Sequence, residues 1–338
     1  MKFRTLATAL LPLAAVLPAT AATAPAATAS APAVSAPAGL RRVVQIDGRT
    51  GDRYPEGIAW DPTRRAFLVG SLATGRISVV GRDGVPHPFG VAPGVSTFGL
   101  HVDAVRNRVL VTYADIGNGE RSSESTTYKQ SGIAIYNLRT GRLERRVDLN
   151  TPRLNPAGGH HGTNDLAIDA AGNAYVTDPA SDAIYKVTPA GVATVLIRDE
   201  RLRSDTIGAN GIVWHPAGYL LVVRYDNGTL FRISPRGELS NTGLTSALVG
   251  GDGLALLHDG RLIAITNKLG APGVEQATVL SSRDNYRTAQ VRSVEPWAVA
   301  GPTTAAVTPY GTYVLSGRID VLLAGGWSDQ FTIRRMSR

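Results

Sequence analysis

Four oxygen-bearing side chains stand at the same place in a repeated phrase of this sequence. The phrase occurs six times, as EGIAWD from Glu56, FGLHVD from Phe98, NDLAID from Asn164, NGIVWH from Asn210, DGLALL from Asp252 and TTAAVT from Thr303. Two carboxylates and two carboxamides at equivalent positions are costly to bring together unless a positive charge sits between them. Hard oxygen donors of this kind suit Ca²⁺: two carboxylates balance its charge and amide oxygens help fill its shell. Other divalent ions stay open, although zinc and copper recruit His or Cys, and neither residue opens a phrase. Taken singly, Asn-Gly and Asp-Gly are ordinary turn sequences. Their register across the phrases is what points to a metal site formed by Glu56, Asn164, Asn210 and Asp252.

The elements that must position these residues follow from the same repeat. After each phrase comes a turn with Gly, Pro or Asn and then a β-rich run: AFLVGS, RVLVTY, NAYVTD, YLLVVR, RLIAIT, TYVLSG. A period of roughly 40–50 residues made of strands and turns predicts a β-propeller with one four-stranded blade per repeat. The fold expected is all-β, a six-bladed propeller over residues 40–338. In such a fold the first strand of each blade, A, lines the channel. The loops entering A and those joining B to C share one face. The opening residues then form a ring at the channel mouth. Ser71, Tyr113, Asp178, Arg224, Asn267 and Arg318, at the ends of the B strands, form a wider ring, and all of these but Ser71 are candidate substrate-pocket residues. Phe98 is a candidate apolar wall that Tyr113 would extend. The stretch RRVVQID has no blade of its own and is expected, around Val43 to Ile46, to pair with the last blade and hide the sheet edges. Two B–C loops, ADIGNGERSSESTTYKQSG and KLGAPGVEQ, exceed what a turn needs and overhang the mouth.

Composition bounds the rest. Hydrophobic content of 43% with 6% aromatics fits a core of Val, Ile, Leu and Ala, and 37 glycines with 20 prolines fit many tight turns. Lys2 and Arg4 precede an apolar stretch from Leu6 to Leu17, broken by Pro12, and Ala19-Thr20-Ala21 supplies a small-x-small site. Residues 1–21 therefore read as a secretory signal peptide, too short and interrupted to anchor the chain, so a secreted protein without stable membrane insertion is expected. Residues 22–39, almost purely Ala, Pro, Thr and Ser, read as a disordered spacer. The absence of cysteine excludes disulfides and thiolate chemistry. The net charge of +8 is spread along the chain without a basic stripe and stacking aromatics, which argues against nucleic acid as a partner. A monomer acting on a small molecule is the expectation.

The chain resembles the senescence-marker-protein/gluconolactonase family, with diisopropyl-fluorophosphatase and the paraoxonases as more distant six-bladed relatives. The residues carrying the likeness are Glu56 in YPEGIAWD, Asn164 in TNDLAID, Asn210 in ANGIVWH and Asp252 in GDGLALL, and it spans Tyr54 to Arg335. It implies a Ca²⁺-dependent hydrolase of lactones or related esters, in which Asp252 activates the attacking water or attacks directly. One departure matters. Sugar-lactonases of this family often carry Arg before the third-blade Asn, where this chain has Thr163, and the loss of a bidentate guanidinium disfavours sugar lactones. His161, three residues before Asn164, is read as a candidate catalytic proton shuttle or substrate ligand, against a loop histidine with no role. His101 stands where other phrases carry Ala or Val, as a ligand to a second ion or a packed histidine. Two other readings stay open: phosphotriester hydrolysis with the same metal, and a non-catalytic binding propeller stabilised by Ca²⁺.

Overall fold

Strands pair almost wholly within the repeats, as the alternation of apolar runs and turns requires. A computed structural model describes residues 43–337; the expected leader and spacer lie outside them. Among the described residues six sheets form. Blade one takes Ile58–Asp61, Ala66–Val69, Ile77–Val80 and Pro86–Gly90 as strands A to D. Blades two to five repeat this plan, with A strands at Ser96–Asp103, Leu166–Ile168, Ala209–His215 and Gly251–Leu256. Blade five adds a short strand, Gly243–Leu244, parallel to its D strand.

Blade six is completed from both ends of the chain. Pro302–Thr308, Gly311–Ser316 and Gln330–Arg335 supply A to C, and Gln45–Arg49 pairs antiparallel with Gln330–Arg335 as D. The closing strand is thus centred slightly beyond the expected residues. Val43 and Val44 still bond the last blade, since their carbonyls accept from the Tyr313 hydroxyl at 2.9 Å and the Arg335 amide at 2.7 Å. Closure leaves no open edge between first and last blades, and in a chain without disulfides it rests on hydrogen bonds and packing alone.

The core lies between neighbouring blades. B strands such as Ala66–Val69 are buried on both faces, which is why they read as continuous apolar runs. Between blades one and two, Leu68, Ile77 and Val79 meet Val109, Val111 and Tyr136. Tyr113 belongs to this same cluster, with the Arg146 guanidinium over its ring at 4.8 Å. It is core and not an extension of a pocket wall; the side-chain alternation of its strand turns it between the blades.

Two B–C connections bear on the mouth. The long blade-two loop is tied down by Asp115, whose carboxylate accepts from Ser122 Oγ at 2.6 Å, Thr126 Oγ1 at 2.7 Å and the Gly117 amide at 2.8 Å. Burial works to raise the Asp115 pKa, but these bonds outweigh it and hold the group below its ordinary value. In blade six the connection contains a short helix, α1 (Ile319–Leu323), which sequence periodicity did not reveal. No helix among the described residues is long and apolar enough to cross a membrane.

Candidate active site

Backbone geometry brings the ring residues together. In four phrases the opening residue is followed by glycine, and the reason is close approach between blades. A Cβ on Gly57 would lie 1.9 Å from the Phe98 carbonyl oxygen, and one on Gly211 would lie 2.1 Å from that of Asp252. Neither glycine has positive φ. The Asn-Gly and Asp-Gly pairs therefore sit in strands that pack edge to edge around the channel, at register shifts in their A–B pairing.

Side chains of one blade also clamp the main chain of the next. Thr177 Oγ1 donates to the Asn210 carbonyl at 2.6 Å, and Thr303 Oγ1 to that of Glu56 at 2.6 Å. Thr112 does the same for Asn164, and Asn267 Nδ2 donates to the Pro302 carbonyl at 2.7 Å. These donors fix where each ring residue sits.

Glu56, Asn164 and Asp252 line a cavity of about 20 Å³ with Asp165, Gly99, Gly253 and Thr304. Asn210 joins them through a side-chain hydrogen bond to Asp252, yet its own Oδ1 is buried without a hydrogen-bond partner. All four residues predicted as ligands thus meet at one place. Glu56 is 7%, Asn210 4% and Asp252 6% exposed, so water does little to relieve the charge. Asp252 is further oriented by Asn267 Nδ2, which donates to its Oδ2 at 2.6 Å, while the Tyr225 hydroxyl donates to Asn267 Oδ1.

Asp165 was not anticipated. It takes the place that glycine holds after the ring residue in four other blades, and its carboxylate accepts from the Leu166 amide at 2.8 Å and the Ile212 amide at 3.2 Å. Burial raises its pKa to about 7 despite both bonds. Burial likewise raises Asp252 to about 7, helped by Asp165 and opposed by the amides of Asn267 and Asn210. Glu56 is raised well above its ordinary value by burial, then by Asp252 and Asp165. Carboxyl groups crowded in a dry place resist ionisation.

These features fit a divalent cation. The cavity has room for one water-sized occupant, the orphaned Asn210 Oδ1 is an unused donor to a metal, and a cation would relieve the carboxylates. Among the described residues no three His, Asp or Glu side chains are placed to hold an ion by themselves, so the carboxamides would be needed.

The outer residues divide. Phe98 packs with Tyr54, Leu72 and Ile319 in an apolar cluster that also takes in Leu269 and Leu322. Through Leu72, Leu269 and α1 it draws on B–C connections of three blades. Arg224 bonds Asp226 through Nε at 2.7 Å, and Arg318 bonds Asp320 through Nε at 3.3 Å. Asp178 accepts from the Gly162 amide at 2.9 Å and pairs with His161 Nδ1 at 2.9 Å. His161 lines a cleft beside blade three with Tyr128, His160 and Arg198, and that cleft shares no residue with the ring cavity. Thr163 Oγ1 is occupied, donating towards the carbonyls of Tyr113 at 2.9 Å and Gly132 at 3.1 Å. His101 lines the channel below the ring, exposed to the channel space though enclosed by the surrounding blades, and this enclosure lowers its pKa while Asp103 pulls it back.

No protein-family model matches the sequence, and no curated protein matches it. Solved structures do. The major allergen Mala s 1 of Malassezia sympodialis aligns with a TM-score of 0.69 at 18% identity, over 87% of this chain and 96% of that one. What is shared is the fold. A protein described as a "putative gluconolactonase" aligns at 0.56 and 16% identity, over 89% of this chain and 94% of its own. A gluconolactonase from Xanthomonas campestris aligns at 0.56 and 15%, over 84% and 86%.

Proposed function

We propose that this propeller is a divalent-cation-dependent hydrolase of lactones or related esters, with Ca²⁺ the ion its donors suit. The observation that carries the reading is the buried meeting of Glu56, Asn164, Asn210 and Asp252 around a cavity of about 20 Å³, with Asn210 Oδ1 unpartnered. When bound there, the cation supplies Lewis acidity toward an ester carbonyl. The chain's own residues supply the proton handling. Asp252 is the ring carboxylate placed to take a proton from water, and a cation in the ring would keep it ionised for that role. Asn267 holds one Asp252 oxygen and so fixes which way the carboxylate faces. Thr163 spends its hydroxyl on main-chain carbonyls, so nothing at that position grips a polyhydroxylated ring. The fold shared with two proteins named as gluconolactonases supports the reaction class, while Thr163 points away from sugar lactones.

The test is a set of lactones, aryl esters and phosphotriesters assayed with and without chelator. Lactone or ester turnover that chelator abolishes and Ca²⁺ restores is expected. Turnover confined to phosphotriesters would move the reading to that chemistry, and inertness towards all of them in Ca²⁺-loaded protein would leave a binding module. The leader at 1–21 places the mature protein outside the cell in this proposal. Protein recovered from the medium should begin at Ala22, and a retained Met1 would refute export by that signal.

A further inference from the structure

Below the ring the channel changes character. The second and fourth residues after each ring position are apolar in all six blades, as in Ile58 and Trp60 or Ile212 and Trp214, and in every blade both line one funnel of about 450 Å³. The second residue is buried; the fourth is half-exposed at the funnel's outer end. His101, Asp165 and Thr304 are its polar exceptions. Ile58, Leu100, Asp165 and Thr304 line both the funnel and the ring cavity, so the two spaces adjoin. The ring-position residue Phe98 instead packs away from this space, with Tyr54, Leu72 and Ile319. The space that adjoins the polar ring is therefore this funnel, with its apolar side chains from every blade.

We infer that the funnel binds the unbranched alkyl chain of the substrate, with the ester carbonyl turned toward the ring and the chain running past Leu100 and Ile212 to Trp60 and Trp214. A space of this size lined mainly by apolar side chains suits a small ligand with an apolar part, although polar atoms, His101 among them, make up about half of its surface. The ring cavity itself admits no more than a water-sized group, so a carbonyl oxygen can reach it while the rest of the molecule stays in the funnel. The inference rests on the hydrolase reading for the identity of the head group, but the chain site can be tested without turnover.

Hexanol, octanol and decanol are titrated into the full chain by calorimetry, with tryptophan emission followed in parallel. The dissociation constant should fall about fourfold for each added CH₂, with an emission change that Trp60→Phe diminishes. Val102→Trp, which fills the funnel's outer end, should flatten the chain-length dependence while leaving Ca²⁺ binding unchanged. Val307→Trp on blade six serves the same purpose if the first variant does not fold. γ-Lactones of increasing side-chain length should show the same trend in KM. Alcohol affinities independent of length, or a trend that neither filled variant alters, would overturn the chain site. Alcohol binding as expected in a protein that hydrolyses neither lactones nor esters supports the chain site and refutes the hydrolase reading, so the two failures are separable.

Discussion

The two ends of the central channel are built from the same repeated phrase and differ in almost every physical respect. At the mouth, opening residues crowd carboxylates and carboxamides into a tight space with room for one small occupant. A few residues further along the same strands, apolar side chains leave a wider space unfilled and partly open. Symmetry makes the second end: every blade contributes similar apolar residues, and the result is a generic funnel. Departures from symmetry make the first. Phe98 and Thr303 withdraw from the polar ring, and Asp165 replaces the glycine that other blades need for close approach.

The contrast predicts different penalties at the two ends, greatest where charge is handled. Asp252→Asn keeps an oxygen donor and removes the base. Turnover should fall by about 10²–10⁴-fold, the range for losing a positioned base, with a much smaller change in cation affinity. If raising Ca²⁺ restores most of the rate, Asp252 only holds the ion. Next comes Gly211→Ala, which puts a methyl group 2.1 Å from the Asp252 carbonyl oxygen and must push blades four and five apart. A loss of about 1–3 kcal/mol is expected, as for other overpacked sites, together with weakened cation binding. Gly51→Ala, with nothing within 4 Å of the added carbon, is the control and should change neither.

The smallest effect is on pH. Asp165 and Asp252, raised to about 7, and Glu56, also raised, bind more protons folded than unfolded at mildly acid to neutral pH. Stability then falls as pH rises through that window. The metal-free protein should therefore melt at a higher temperature at about pH 6.5 than at about pH 8, against a smaller opposing contribution from His101 and His215, whose lowered pKa values favour the folded state as pH rises. Carboxylates held below their ordinary value, such as Asp115 and Asp284, lose their contribution only at still lower pH. Saturating Ca²⁺ should flatten the slope. A metal-free protein equally stable at both pH values would show that the ring is not under electrostatic stress.

What could be read from the sequence was whatever the repeat states more than once. Blade number, strand order and closure by the N-terminal strand follow from six phrases in register, and Glu56, Asn164, Asn210 and Asp252 were legible because they share a phase. What the repeat says only once was not. Asp165 sits in a glycine's place, and its approach to the ring depends on the Ile212 amide of the next blade. Tyr113 was placed by strand-end counting, but the parity of its strand turns it between blades. His161 is near Asn164 in sequence, yet Asp178 holds it on a separate cleft. Helix α1 is too short to show a period, although Gly325 and Gly326 after it are a stop signal.

The central claim is that the ring is a cation seat, and calorimetric titration of chelator-stripped protein with Ca²⁺ tests it most directly. One ion per chain should bind to the intact protein. Binding should weaken at least tenfold in Asn210→Ala, which removes the unpartnered buried oxygen, without loss of the folded circular-dichroism spectrum. Absence of binding in the intact protein, or an affinity that Asn210→Ala and Glu56→Gln both leave unchanged, would contradict it.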